Sequence, residues 1–136
     1  MNLRAHLGRP GDDGHYWCGP AAVAWILGAP YREAFALVEQ AAQRRIRETT
    51  YFPELVRALE LAGDVRPGVK PEQCALMPRR ALRCYVRDHD TRRALVRVGG
   101  HFLALLDGYG YDNRRARFEP LDTRWVVSHA LTIRGR

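Results

Sequence analysis

The sequence predicts an α+β domain, with helices first and a small antiparallel sheet after them. Three observations carry this. Residues 20–27 are apolar all round, as in a buried helix. Apolar residues between positions 34 and 61 recur at helical spacing. From Ala94 onward the pattern changes to short apolar runs, broken by Gly99-Gly100 and by Asp107-Gly108, a strong two-residue hairpin signal.

In chain order, residues 1–17 read as a loop, because Gly8, Pro10, Gly11, Asp12, Asp13 and Gly14 break regular structure. Pro20 suits the first helical position, where its missing N–H costs nothing, and Gly28 suits the C-terminal stop. Cys18 therefore falls at the start of a central helix. A second helix is expected over about residues 31–47. Ala34, Leu37, Val38, Ala41, Ala42 and Ile46 form its inner face, and Arg32, Glu33, Glu39, Gln40, Arg44 and Arg45 its solvated face. The next element begins at Thr49 or Thr50, carries Pro53 and Glu54 in its first turn, and stops at Gly63.

Residues 64–78 form a Pro/Gly-rich connection, in which Cys74 reads as structural. Ala81, Leu82, Tyr85 and Val86 fit a short helix over residues 79–88, and residues 82–86 also fit a strand; Cys84 lies on its polar side or edge. Strands follow at residues 94–98, 101–106 and 109–112. Residues 116–118 are an extension, and residues 125–133 supply the last strands.

A chain of 136 residues fits one domain, 1–136. An apolar share of 46% and a charged share of 27% argue against disorder. No apolar run approaches the ~20 residues a bilayer crossing needs, and residues 1–13 lack the apolar core of a signal peptide. The expectation is a cytoplasmic protein, or one packaged in a virion, with no membrane partner. Cys18, Cys74 and Cys84 form no Cys-x-x-Cys and no zinc-spaced cluster, so neither a disulfide framework, nor a metal, nor an organic cofactor is expected. The net charge of +7 is nearly all arginine; it can suit an acidic peptide or a nucleic acid, but an arginine-for-lysine bias of a GC-rich genome, which the alanine abundance also fits, is the favoured reading. The arginines are scattered in pairs rather than massed, and no helix-turn-helix or zinc-finger signature accompanies them, so nucleic acid is not the favoured partner.

Cys18 is the candidate nucleophile. Free N–H groups and the positive dipole end of a helix start favour a thiolate over a thiol. A buried structural cysteine is the competing reading. A nucleophilic cysteine needs a base within reach, and that base needs an orienting group. His101 is the candidate base, since it opens a strand after the Gly-Gly break; a plain strand-edge histidine is the alternative. His6, His89 and His129 lack such a setting, and His15 reads as an entry-loop residue. With Asp107-Gly108 as the hairpin loop, Leu106 pairs with Tyr109 and Leu103 with Asp112. Asp112 then shares a face with His101 as its diagonal neighbour, about 7 Å away by strand geometry. Asp112 is the preferred third member and Asp122 the second candidate, and Asp112 also suits a turn beside Asn113.

Cys18-Gly19-Pro20-Ala21-Ala22 at a helix start, a helical middle, and Gly100-His101-Phe102 to Asp107-Gly108 to Tyr111-Asp112 resemble the papain-like cysteine peptidase superfamily. The likeness is greatest to small bacteriocin-leader-type peptidases and papain-like domains encoded in phage and bacterial genomes. The resemblance implies a papain-like fold, with the nucleophile on a buried helix start followed by a small antiparallel sheet. It implies a Cys18–His101 thiolate–imidazolium pair with an acidic or amide orienter, and cleavage of a peptide or isopeptide bond in a peptide or protein substrate through a thioester. The family also places an oxyanion-hole glutamine shortly before the cysteine. Residues 10–17 contain neither glutamine nor asparagine, which leaves the Cys18 N–H as one donor and His15 or Tyr16 as sources of another. Loss of one such donor costs about 10²–10³ in rate. A catalytically impaired papain-like module with a binding or structural role, in a phage particle for example, is therefore the alternative expectation.

Overall fold

The computed structural model describes residues 3–68, 71–73, 81–89, 92–114, 116–118 and 125–133. The described residues form an α+β fold with five helices: α1 (Leu3–Leu7), α2 (Cys18–Leu27), α3 (Tyr31–Ala42), α4 (Phe52–Leu61) and α5 (Leu82–Asp88). The strands are β1 (Glu72–Gln73), β2 (Arg93–Val98), β3 (His101–Leu106), β4 (Tyr109–Asp112), β5 (Ala116–Phe118) and β6 (Val127–Thr132). They make one sheet in the order β1-β6-β2-β3-β4-β5, antiparallel throughout.

The sheet is covered on both faces around its centre, which explains why β2 and β3 read as nearly unbroken apolar runs. Leu95, Phe102, Ala104 and Leu131 point to one face and join the core made with α2, α3 and α4. Ala94, Val96, Val98, Leu103, Leu105 and Ala130 point to the other and pack with Leu82 and Tyr85 of α5. Gly19 to Ile26 of α2 are all buried, which is why that helix has no polar face. Among the described residues, no single helix is long and apolar enough to cross a membrane.

Several expected boundaries move. The opening segment contains a one-turn helix, α1, pinned by the buried Leu7. α2 starts at Cys18, two residues before Pro20, because the Ala21 N–H already reaches the Trp17 carbonyl at 3.0 Å. Proline in that first turn still has no helical bond to lose. α3 ends at Ala42 rather than near residue 47, with Gln43 in the left-handed region at φ 57°. The chain is captured there by tertiary contacts: Glu39 accepts the Ile46 N–H at 2.9 Å, and Arg44 forks onto Glu54 at 2.8 and 3.1 Å. Ile46 is thus core without being helical.

α4 is capped at Tyr51, not at a threonine, with the Glu54 carboxylate accepting the Tyr51 N–H at 2.8 Å. The segment around Cys84 is helical, and the connection after α4 holds the short strand β1. Asp107 and Gly108, at φ 51° and 83°, make the expected tight turn, and Leu106 pairs with Tyr109. Cys74 and Asp122 lie outside the described residues.

Candidate active site

Cys18 is the first residue of α2, and His101 the first of β3. The β3–β4 ladder runs from Ala104–Tyr111 to Leu106–Tyr109, so β3 begins outside it. Here the N-terminus of α2 meets the strand. The Cys18 sulfur is acted on by the His101 side chain and by the N–H of Phe102. Asp112, at the end of β4, is 2% exposed, and its Oδ2 lies 3.8 Å from His101 Nε2. The structure therefore brings Cys18, His101 and Asp112 together, in the order the hairpin register anticipates. With Nε2 toward the carboxylate, Nδ1 is the nitrogen left for the sulfur.

The electrostatics follow from these neighbours. Burial pushes the Cys18 pKa up, but the His101 side chain and the Phe102 and Gly19 N–H groups push it down, and the net result lies below the ordinary thiol value. The Asp112 carboxylate first, and Cys18 second, raise His101 to about 9, against the opposing effect of burial. Each group favours the charged form of the next. Asp112 also accepts the Arg114 N–H at 2.8 Å through Oδ1, so it serves as both the turn aspartate and the neighbour of the imidazole. Trp125 packs its ring against His101 with centroids 6.1 Å apart and shelters that side of the imidazole.

The backbone leading to Cys18 is held from two sides. Tyr31 of α3 accepts the Trp17 N–H on its hydroxyl at 2.8 Å, and Asn113 donates to the Tyr16 carbonyl at 2.7 Å. Burial raises the Tyr31 pKa well above the usual phenol value, so it stays a neutral hydroxyl. Gly19 is required by close approach: a Cβ there would lie 2.1 Å from Thr50 Oγ1. The sequence alone assigns Tyr31, Asn113 and Thr50 no role in holding Cys18, because their partners are distant in the chain. The one local hint is the glycine after Cys18.

The loop before Cys18 accounts for its own polar groups. Asp13 accepts the His15 N–H at 3.0 Å and the Trp17 indole N–H at 2.8 Å, which hold its carboxyl below its ordinary value. An ionised carboxylate has no proton to offer an oxyanion. The Tyr16 hydroxyl donates to the Gly8 carbonyl, which removes it as the expected second donor. His15 is exposed, with its ring 5.7 Å from that of Trp17.

The other histidines sit in packing environments. His6 lies beside Trp25 and Tyr111, His89 stacks on Tyr85 at 4.2 Å, and His129 lies 5.5 Å from Phe52. Cys84 is half-buried on α5. Among the described residues, no group of three or more His, Cys, Asp or Glu side chains is placed to hold a metal ion.

The fold and the cluster together define an α+β protein with a cysteine at a helix start, facing a histidine backed by a buried aspartate. No protein-family model, curated protein or solved structure matches the chain.

Proposed function

We propose that this chain is a papain-like cysteine hydrolase that cleaves a peptide or isopeptide bond. The observation that supports it best is the Cys18–His101–Asp112 arrangement, with the thiol held below and the imidazole above their ordinary pKa values. In this mechanism the Cys18 thiolate attacks the scissile carbonyl. His101, as imidazolium, gives its proton to the departing amine, and a Cys18 thioester forms. His101, now neutral, takes a proton from water. The resulting hydroxide adds to the thioester carbonyl, the C–S bond breaks, the acid leaves, and the expelled Cys18 thiolate again faces the protonated His101. Asp112 holds the ring and stabilises its charged form. The Cys18 N–H, at the helix start, is the first oxyanion donor.

A second reading, a papain-like module with impaired catalysis and a binding or structural role, is favoured by one observation. Asp13 and Tyr16, which precede the cysteine, supply no oxyanion proton. One experiment addresses both readings: labelling with a thiol-directed epoxysuccinate, located by peptide mass spectrometry, followed by incubation with a peptide library. The hydrolase reading expects Cys18 to react far faster than Cys74 and Cys84, loss of that advantage in His101→Ala, and peptide turnover. Fast labelling without turnover favours the impaired module. Equal labelling of the three cysteines, unchanged by His101→Ala, overturns the catalytic assignment.

A further inference from the structure

We propose that the cavity between the start of α4 and the β2–β6 part of the sheet is a carboxylate-binding subsite. It takes an acidic side chain or a free terminal carboxylate of the peptide that reaches Cys18. That the carboxylate belongs to a substrate rests on the proposed function; that the cavity binds one does not.

The cavity measures about 300 Å³ and is lined by Thr49, Thr50, Phe52, Arg97 and His129, among others. Its walls adjoin the candidate nucleophile. Thr50 packs against Gly19, the residue after Cys18. Arg97 pairs in register with Phe102, whose N–H acts on the Cys18 sulfur. Arg97 Nη2 also lies close to Gly100, in the turn that leads into His101. The β2–β6 register shifts between Arg97 and Val98, a bulge of the kind that re-aims side chains.

The chemistry of the lining selects an anion. Arg97 Nη1 donates to Ser128 Oγ at 3.1 Å, and among the described residues no carboxylate is paired with this guanidinium. The acid in the first turn of α4, Glu54, is already engaged by Arg44 and by the Tyr51 N–H. Arg97 is thus a half-buried cation with a hydroxyl for company, and its planar fork suits a carboxylate. On the neighbouring strand, His129 Nδ1 lies 3.1 Å from Ser128 Oγ, which leaves Nε2 for a ligand. Phe52, against which His129 packs, gives an apolar wall for the methylenes that carry an acidic group.

The test has two readouts on the full chain. In the first, the His129 ring proton is followed by NMR during titration with acetyl-Ala-Glu-amide, acetyl-Ala-Gln-amide and acetyl-Ala-Gln with a free C-terminus. One of the two carboxylate-bearing peptides should bind about tenfold more tightly than the neutral one, and which one does identifies the source of the carboxylate. Arg97→Gln should abolish the preference and Arg97→Lys keep part of it, each variant being checked for an intact NMR spectrum. Equal binding of all three peptides to the wild type, or a preference that persists in folded Arg97→Gln, overturns the proposal.

The second readout is labelling of Cys18 by matched peptidyl vinyl sulfones bearing Glu or Gln, each rate divided by the iodoacetamide rate of the same protein. Where the Glu peptide is the tighter NMR ligand, a faster Glu probe places the subsite on the path to Cys18, and labelling with no Glu preference at any position overturns that placement; where the free C-terminus is, a Glu preference overturns it. An NMR preference with an inert Cys18 upholds the subsite and instead overturns the hydrolase reading.

Discussion

Replacing Asp112 by Asn tests the linkage between the three site residues most directly. The side chains are isosteric, and the amide oxygen of Asn can still accept the Arg114 N–H now held at 2.8 Å. That orientation turns the NH₂ group toward His101 Nε2. A donor then faces the nitrogen that is protonated in the wild type, and the charged ring loses its carboxylate. His101 stands at about 9 against an ordinary value of 6.5, with the hydrogen bond to the Asp112 carboxylate the largest single cause and the Cys18 side chain the next. Asp112→Asn should therefore lower the titration by at least about one pH unit, some 1.4 kcal/mol of differential stabilisation. Cys18→Ala should lower it as well, since the Cys18 side chain also raises His101. The assay is a pH titration of the His101 ring proton by NMR in the wild type and both variants. A midpoint in Asp112→Asn unchanged from the wild type would refute the reasoning.

Three further outcomes follow from the geometry. The raised folded-state pKa of His101 contributes stability that is full below about pH 6.5 and lost as pH rises through about 9, so urea midpoints should fall across that window. The effect should be roughly 1–2 kcal/mol after screening at this partly open site, and it should shrink in Asp112→Asn. Gly19→Ala should cost about 1–3 kcal/mol by overpacking against Thr50 and Leu55, with partial recovery in the Gly19→Ala/Thr50→Ala double variant, read by chemical denaturation. Tyr31→Phe removes the acceptor of the Trp17 N–H and should cost about 1 kcal/mol while slowing Cys18 alkylation; an unchanged alkylation rate would show that Tyr31 does not position the cysteine.

What the sequence disclosed was whatever its local chemistry determines. The Asp107-Gly108 turn was legible because two consecutive positive φ values favour just such residues, and it carried the Asp112 assignment with it. α2 was legible because an all-apolar run between a proline and a glycine has few other outcomes. α1 was not, since a single buried residue, Leu7, anchors it among chain breakers. The end of α3 was overrun because helical spacing continues to Ile46, while the chain itself is drawn away by Glu39 and by Glu54 through Arg44. The supports of Cys18 were hidden for the same reason: Tyr31 and Asn113 reach its approach segment from 14 and 97 residues away.

The Tyr16–Trp17 segment, gripped by α3 on one side and the β4–β5 turn on the other, ties the chemistry of one thiol to the order in which a ribosome delivers the chain. Cys18 emerges early, into a nascent helix with no partner. His101, Asp112 and Asn113 arrive only once most of the described fold has been made. Until that late hairpin docks, the cysteine is an ordinary thiol on a growing polypeptide. The lowering of its pKa by His101 and the Phe102 N–H comes only with tertiary closure, so the acidity of this thiol reports completion of the fold.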